Sequence, residues 1–259
     1  MKIFRTEGKP FLGVVCCQHG HEVFGLEVFR KLKGRKGQKR GERGPAGIRR
    51  PSGEKEGPYP GLVAIVANEE AVAAGKRSIE TDLNRSYPGR PDGTHEERLA
   101  ARLVQELAGA RFVLDIHTTT CDTELVPFCG EFDRDVKRII GLTTAKNIVA
   151  VGEKLAKQSL LGAVSGAVSL EYGEKYAAAH GLADVIRLID ALYAGTPGRG
   201  TERRVFRLRA AIPRGAAVPA SARDFVYCPE LSGYPVLLGE KSYADKLGFV
   251  ADEPSVVVM

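Results

Sequence analysis

Short apolar runs that end next to ionisable side chains are the feature that most restricts the fold of this sequence. Residues 11–17 form a continuous apolar run, and His19 and Glu22 follow closely. Residues 112–116 form a second run, which leads directly into His117. Runs of this length predict buried strands. Functional groups at the carboxyl end of a strand that opens into a helix are typical of an open α/β sheet.

Apolar runs and helical patterns alternate over the first 200 residues. Continuous apolar runs predict strands over residues 11–17, 61–67, 112–117, 147–151 and 167–171. Helical spacing predicts helices over residues 22–32, 95–110, 134–143, 153–159 and 183–193. Later residues form short β-like runs, namely 204–210, 224–228, 236–238 and 249–258. We therefore expect an α/β fold: a mixed open sheet flanked by helices over residues 1–199 and a small β-rich C-terminal subdomain over residues 200–259.

Composition excludes several classes of protein. Hydrophobic residues make up 43% of the 259 residues and charged residues 27%, as in ordinary globular enzymes. The longest apolar runs fall well short of the ~20 residues that cross a bilayer. The N-terminus lacks the apolar stretch and cleavage site of a secretory signal. Five scattered cysteines, an odd number, argue against a disulfide framework. We expect a cytoplasmic protein without a membrane partner.

The net charge of +6 is confined to one segment. Residues 33–60 contain nine basic and three acidic side chains, together with seven Gly and four Pro. This composition predicts a long flexible insertion that buries no core. The segment also raises an alternative of another class, a nucleic-acid-binding protein that attracts phosphates. Its single aromatic residue, Tyr59, provides no stacking platform for bases, which weighs against that alternative.

The ionisable groups after the apolar runs have the composition of a zinc site. His19, Glu22 and His117 offer two imidazoles and one carboxylate, and three protein ligands with one open position are typical of catalytic zinc. Structural zinc sites are more often closed by four ligands and rich in Cys. Asp115 precedes His117 by two residues, so on a strand both side chains share a face, and the carboxylate can hold the imidazole. A lone histidine in a packed core remains the alternative for each imidazole.

Four motifs occur in a fixed order along the chain. They are His19-Gly20-His21-Glu22, Asp82-Leu83-Asn84-Arg85, Asp115-Ile116-His117 and the segment 168–173 with Glu171. This ordered set resembles the aspartoacylase and succinylglutamate desuccinylase family, a branch of the zinc carboxypeptidase-like hydrolases. The resemblance is clearest over residues 10–175. His21 departs from it, because the family usually has Asn at that position.

The resemblance implies a role for each matching residue. It implies one zinc ion per chain, held by His19, Glu22 and His117. Glu171 is implied as the general base, which suits a carboxylate at the end of an apolar strand. The residues implied to act on the substrate are Arg77, which polarises the scissile carbonyl, Asn84 and Arg85, which bind a carboxylate, and Tyr243, which contacts the substrate. The match at Tyr243 is short, and a packing role for this tyrosine is the alternative.

The function implied by the resemblance is a zinc-dependent hydrolase that cleaves the amide bond of an N-acyl amino acid. One position departs from the aspartoacylase branch, where an arginine binds the second carboxylate of N-acetylaspartate. Here that position is Leu161, and the nearest cation in the sequence is Lys157. We therefore expect a small N-acyl amino acid other than an acyl-aspartate as substrate, and a homo-oligomer is an open alternative to a monomer. The competing enzyme is a metallocarboxypeptidase that acts on peptide C-termini.

Overall fold

A computed structural model describes residues 1–35 and 59–259, and in that part of the chain eleven strands form one mixed sheet. The strands are β1 (Lys2–Arg5), β2 (Leu12–Cys16), β3 (Leu62–Val66), β4 (Phe112–Thr119), β5 (Leu125–Cys129), β6 (Asn147–Ala150), β7 (Ala167–Gly173), β8 (Glu202–Pro213), β9 (Tyr234–Val236), β10 (Lys246–Ala251) and β11 (Ser255–Val258). Their order across the sheet is β1-β3-β2-β4-β7-β5-β6-β8-β10-β9, and β11 pairs with β8.

Helices connect these strands. They are α1 (Phe24–Gly34), α2 (Glu69–Ala74), α3 (His95–Glu106), α4 (Arg134–Leu142), α5 (Glu153–Lys157), α6 (Leu160–Ala163), α7 (Glu174–Tyr176) and α8 (Leu182–Ala194). Short 3₁₀ turns span Leu83–Arg85 and Pro229–Leu231, and a π-helical turn joins α7 to α8. Helix α3 begins with a capping box, in which Thr94 and Glu97 satisfy each other's main-chain N–H groups.

The centre of the sheet is parallel and places several strand ends together. Strand β2 is parallel to β3 on one side and to β4 on the other, and β4 is also parallel to β7. The chain therefore leaves β2 for β3 and returns to β4 on the opposite side of β2. Ligands of open α/β sheets bind at such a reversal, beside the carboxyl ends of the strands. The fold thus predicts a site where β2 and β4 end.

Both faces of the central strands are buried, as expected for a parallel sheet covered by helices. Val14 on β2 packs in a cluster with Val28, Ile139 and Ile189 of the helices α1, α4 and α8. Its neighbour Val15 packs on the other face, against Leu103 of α3. This alternation explains why the sequence of each central strand is a continuous apolar run.

The predicted fold class is confirmed, with local corrections. The five strands and five helices predicted before residue 200 are all present, with small shifts at their ends. The prediction of a strand over residues 224–228 is wrong, because Pro229 opens a 3₁₀ turn there and Phe225 has a positive φ of 63°. Pattern reading also missed β1, β5 and α2. Strands β1 and β5 are only four and five residues long, and β5 contains Pro127, a residue that is rare inside strands.

The basic segment is described only at its ends, because residues 36–58 lie outside the described part of the chain. Helix α1 continues to Gly34, and Tyr59 is only 2% exposed. The Tyr59 hydroxyl donates to Asp190 Oδ1 at 2.6 Å, and its ring lies 5.1 Å from that of Tyr193. The predicted insertion of 33–60 is therefore too long at both ends, because Gly34 belongs to α1 and Tyr59 belongs to the core.

The C-terminal strands continue the central sheet. Strand β8 pairs in parallel with β6 and antiparallel with both β10 and β11. One strand thus connects the central sheet with the strands that follow residue 200. The division into units of 1–199 and 200–259 remains a prediction. All five cysteines are free. Within residues 1–35 and 59–259, each helix is too short or too polar to cross a membrane.

Candidate metal and substrate site

The ends of β2, β4 and β7 bring the predicted metal ligands and the predicted general base together. Beyond β2 the chain turns sharply at Gly20, where a Cβ would lie 2.1 Å from main-chain atoms of Ala71, so glycine is required. This turn places His19 and Glu22 over the end of β4. His117 lies on β4 itself, and its ladder partner on β7 is Glu171.

His19, Glu22 and His117 form one buried cluster. One potential ligand atom from each residue lies within 4.8 Å of the other two. The Nδ1 atoms of His19 and His117 lie 2.8 and 2.9 Å from the same oxygen, Glu22 Oε1. All three side chains are nearly inaccessible to solvent. The sequence-predicted ligand set is therefore assembled at one point, whereas its role in binding metal remains a prediction.

Each imidazole also contacts a carboxylate other than Glu22 through its Nε2 atom. Nε2 of His19 lies 3.0 Å from Asp82 Oδ1, and Nε2 of His117 lies 2.8 Å from Asp115 Oδ2. The second contact is the one that the alternation of β4 predicts. Such carboxylates fix the tautomer of a metal-binding histidine and leave its other nitrogen free for the ion. In both histidines, that other nitrogen is the Nδ1 that faces Glu22.

A buried polar network, which sequence reasoning missed, supports Asp115. Its Oδ2 accepts hydrogen bonds from Gln18 Nε2 at 2.7 Å and from Ser169 Oγ at 2.9 Å. The Oε1 of Gln18 in turn accepts from the Tyr87 hydroxyl at 3.0 Å. A polar Gln18 directly after the apolar run of β2 was the only sequence signal for this network. The carboxylate beside His117 is thus held directly by Gln18 and Ser169, and Tyr87 in turn holds Gln18.

Carboxylates dominate the electrostatics of the cluster. Burial alone would lower the pKa of His117, but Asp115, Glu22 and Glu171 raise it well above its usual value. Burial alone would raise the pKa of Glu22, but His117 and His19 hold it far below its usual range. The site therefore favours additional positive charge between its imidazoles and carboxylates. Nitrogen and oxygen donors in this ratio are those that zinc binds, so the residues fit the ion that the resemblance implies.

Glu171 combines partial burial with proximity to the cluster. Burial is the largest effect on its pKa, which rises to about 7, although His117 opposes the shift. A carboxyl group with such a pKa can exchange a proton near neutral pH. The pairing of its strand position with His117 places it beside the predicted ligands. Position and acidity are therefore those that a general base requires.

Arg77 and Tyr243 meet at the same site from distant parts of the sequence. The Arg77 Nη2 donates to Asp82 Oδ2 at 2.9 Å, so one carboxylate contacts both His19 and the guanidinium. The Nη1 of Arg77 donates to Ser242 Oγ at 3.2 Å, and its Cζ lies 6.0 Å from the centre of the Tyr243 ring. The structure thus brings these two predicted residues together.

The turn that carries Tyr243 is fixed by Glu240, a buried residue that sequence reasoning missed. Its carboxylate accepts from the main-chain N–H groups of Thr120 and Ser242, each at 2.8 Å, and from the Thr119 hydroxyl. Glu240 thereby attaches the C-terminal turn to the end of β4. The signal in sequence was slight, because a glutamate between Gly239 and Lys241 resembles a residue of a surface loop.

Asn84 and Arg85 lie in the 3₁₀ turn that follows Asp82. Asp82 caps this turn by accepting from the main-chain N–H of Asn84 at 2.9 Å. Both side chains are partly exposed, and the Oδ1 of Asn84 has no hydrogen-bond partner within the described residues. That oxygen is itself buried, so the partly exposed Arg85 is the more accessible polar group of this turn, and the assignment of both residues to substrate remains a prediction.

The position expected to carry the second-carboxylate arginine is apolar in its surroundings. Leu161 packs between two apolar clusters, which include Val15 and Phe128 respectively. Lys157, the nearest cation in the sequence, pairs with Glu153 at 2.6 Å on the surface. His21 is exposed and stacks on His19, with ring centres 5.9 Å apart. These contacts agree with the predicted departures from the aspartoacylase pattern.

Known proteins resemble this chain in two ways. The likeness in sequence covers part of the chain, and the likeness in fold covers nearly all of it. Residues 54–154 match the succinylglutamate desuccinylase/aspartoacylase catalytic domain. A curated relative, N-alpha-acetyl-L-2,4-diaminobutyric acid deacetylase of Halomonas elongata, is 33% identical over 73 residues. That match covers 27% of this chain and 21% of the relative, so the sequence likeness is confined to about a fifth of that protein.

Solved structures extend the likeness in fold. Murine aminoacylase 3 has a TM-score of 0.70 at 20% identity, with 97% of each chain covered. The succinylglutamate desuccinylase of Chromobacterium violaceum has a TM-score of 0.68 at 18% identity, covering 97% of this chain and 86% of that one. The predicted resemblance is therefore confirmed: residues 54–154 match the succinylglutamate desuccinylase/aspartoacylase catalytic domain, and the chain shares the fold of these solved structures.

Proposed function

We propose that this protein is a zinc-dependent hydrolase that cleaves the amide bond of an N-acyl amino acid or of a similar small amide with a carboxylate. The observation that carries the proposal is the joint position of four side chains. His19, Glu22 and His117 face one another, and Glu171 is the ladder partner of His117. The matched catalytic domain supports the reaction class.

In this proposal, His19, Glu22 and His117 hold one zinc ion, which supplies Lewis-acid chemistry when bound. Glu171 accepts a proton from the attacking water and later donates it to the leaving amine. A pKa of about 7 suits both steps, because the carboxylate and the carboxylic acid are then both populated near neutral pH.

Arg77 is proposed to stabilise the negative charge that develops on the scissile carbonyl oxygen. Asp82 and Ser242 hold its guanidinium at 2.9 and 3.2 Å, so the arginine is ordered before substrate arrives. Tyr243, whose ring lies below this guanidinium, is proposed to form part of the substrate pocket. A group that is already oriented loses little entropy when the transition state forms.

Asn84 and Arg85 are proposed to bind the carboxylate of the amino acid, because a guanidinium forks onto a carboxylate through two hydrogen bonds. Leu161 and the surface pairing of Lys157 favour substrates without a second carboxylate. The name of the Halomonas elongata relative describes such a substrate, whose amino acid carries an amine in its side chain. We therefore propose N-acyl amino acids with neutral, apolar or basic side chains as the substrate class.

The experiment is a hydrolysis screen of the zinc-loaded protein against N-acyl amino acids and short peptides. Amine release should occur from N-acyl amino acids, stop after treatment with a chelator, and return when zinc is restored. Glu171→Gln is the matched control for traces of contaminating enzyme, since it should bind zinc without turnover. Release of C-terminal residues from peptides in preference to N-acyl amino acids would replace the proposal with a metallocarboxypeptidase.

A further inference from the structure

Glu96 is a fully buried carboxylate that the proposed mechanism does not use. It lies in the first turn of α3 and is 0% exposed. Its Oε1 accepts from Ile79 N–H at 2.7 Å and from Asn68 Nδ2 at 3.0 Å. Its Oε2 accepts from the N–H groups of Glu80 and Thr81, each at 3.0 Å. Both oxygens of one side chain are thus used to bind a single loop.

The bound loop, residues 78–81, connects Arg77 with Asp82. These residues lie outside the strands and helices, and Ile79, Glu80 and Thr81 are exposed. Three consecutive main-chain N–H groups nevertheless point inward, at the carboxylate of Glu96. An exposed loop that turns its donors toward one buried anion depends on that anion for its conformation.

The charge on Glu96 is stable in this position. Burial alone would raise its pKa, but the N–H groups of Thr81, Ile79 and Glu80 lower it below its usual value. Hydrogen bonds to a carboxylate favour its charged form. A glutamine at this position would keep one acceptor oxygen and turn its NH₂ group against two hydrogen-bond donors, at least one of them a main-chain N–H group. The site therefore distinguishes the carboxylate from its neutral isostere.

The loop that Glu96 binds leads directly into two predicted functional contacts. Asp82 follows Thr81 and contacts Nε2 of His19 at 3.0 Å. The other oxygen of Asp82 accepts from Arg77 Nη2 at 2.9 Å. A shift of residues 79–81 would therefore move the carboxylate that orients a predicted metal ligand and the arginine together.

We propose that Glu96 is a positioning residue that sets Arg77 and Asp82 relative to His19, a role that rests on the proposed hydrolase function. It touches neither substrate nor metal and acts through the main chain of residues 79–81. Metal affinity and turnover should therefore both depend on Glu96, a side chain buried behind the site.

The first test is amide hydrogen exchange of the wild-type protein. Ile79, Glu80 and Thr81 should exchange slowly despite their exposure, because their N–H groups are bonded to Glu96. Neighbouring exposed amides without such a bond should exchange freely and serve as the internal reference. Exchange of residues 79–81 at the rate of that reference would overturn the proposal, and this measurement requires no variant that has to fold.

The second test compares Glu96→Gln and Glu96→Asp with Glu97→Gln as the matched control. Glu97 is the adjacent residue on α3, and glutamine can replace it in the capping box. In Glu96→Gln, zinc affinity measured by competition with a chelating dye, and kcat/KM of the zinc-loaded protein, should each fall by ~10-fold or more, the range seen when groups that orient metal ligands are altered. Glu96→Asp should fall less, and Glu97→Gln should match the wild type.

The outcomes separate this inference from the proposed function. If the wild type hydrolyses none of the N-acyl amino acids, the proposed function fails, while exchange and zinc affinity still test the position of the loop. Zinc affinity in folded Glu96→Gln within twofold of Glu97→Gln would overturn the positioning role. A loss of thermal stability without any change in zinc affinity would likewise assign Glu96 to structure alone.

Discussion

The predicted metal ligands and the predicted substrate-binding residues are held in place by different means. His117 lies within a strand whose neighbours on both sides are parallel strands, and it is 1% exposed. Arg77 and Tyr243 lie on loops, each attached to the fold by one buried carboxylate, Glu96 or Glu240. The sheet therefore positions the predicted metal ligands, called the metal side below. The loops determine the substrate side, which can change without disturbing the core.

The largest effect should come from the metal side. His117→Ala and His19→Ala should each lose most bound zinc and all measurable turnover, because two ligands hold the ion poorly and the remaining carboxylates lose their partner. Elemental analysis of the purified proteins measures the loss. His180→Ala, which changes an exposed histidine, is the control. Full zinc occupancy in both ligand variants would falsify the assignment.

Next in size should be Glu171→Gln, which tests chemistry separately from metal binding. Zinc content should stay unchanged while turnover falls by ~10² or more, the usual contribution of general acid–base catalysis. In the wild type, turnover should rise as the pH increases through about 7, because the carboxylate form of Glu171 then becomes populated. A pH profile without this rise, or normal turnover in the variant, would remove Glu171 from the mechanism.

A somewhat smaller effect should follow from the loss of the substrate carboxylate contact. Arg85→Ala should lower kcat/KM by ~10–10² for every N-acyl amino acid alike, since all present the same carboxylate to it. In the wild type, substrates with neutral side chains should be cleaved better than N-acetylaspartate. Competition kinetics with mixed substrates gives these ratios. A clear preference for N-acetylaspartate would contradict the pocket deduced from Leu161 and leave the zinc chemistry untouched.

Glu240→Gln should have a moderate effect confined to the substrate side. It weakens the attachment of the turn that carries Tyr243, so KM should rise by a few-fold, about what one altered charged hydrogen bond contributes. Zinc content should not change, because Glu240 bonds to Thr119, Thr120 and Ser242 and to none of the predicted ligands. Reduced zinc content in this variant would show that the two sides are coupled.

The smallest effect should come from deleting residues 36–58 and joining the ends through a short Gly-Ser link. The residues at these ends are already in contact, since Arg35 and Tyr59 bond to each other and to Asp190. Thermal unfolding should remain cooperative, and kcat/KM should stay within about twofold, because the entropy of closing a connection changes only slowly with its length. Keeping Tyr59 is essential to the design. A non-cooperative transition would show that the removed residues support the core.

The clustering of the predicted metal ligands could be expected from sequence, whereas the arrangement of the predicted substrate-binding residues could be expected only in part. His19, Glu22 and His117 follow apolar runs, and parallel strands bring such run ends together, so local pattern was sufficient. Arg77, Asn84 and Arg85 were identified through the family resemblance, because a loop sequence alone contains no information about where it folds back. Their anchors Glu96 and Glu240 were missed for the same reason.

Glu96 did carry a signal in the sequence. It lies three residues before Leu99 and seven before Leu103, on the apolar stripe of α3. A charged side chain on the buried side of a helix requires hydrogen-bonding partners, so its presence there indicates a buried polar network. The error at Tyr59 has the opposite cause. Its Gly-, Pro- and charge-rich neighbours concealed a core residue, because composition averaged over a segment hides a single buried ring.

Strand β8 has a consequence for how this chain can be divided. Its N-terminal half completes the ladder beside β6, and its C-terminal half carries β10. A fragment that stops at residue 199 would leave β6 with a row of unpaired main-chain donors and acceptors, the kind of edge that recruits strands from other molecules. The last sixty residues thus cover the edge of β6 and also carry Tyr243, so the protection of this edge and the predicted substrate contact belong to the same stretch of sequence.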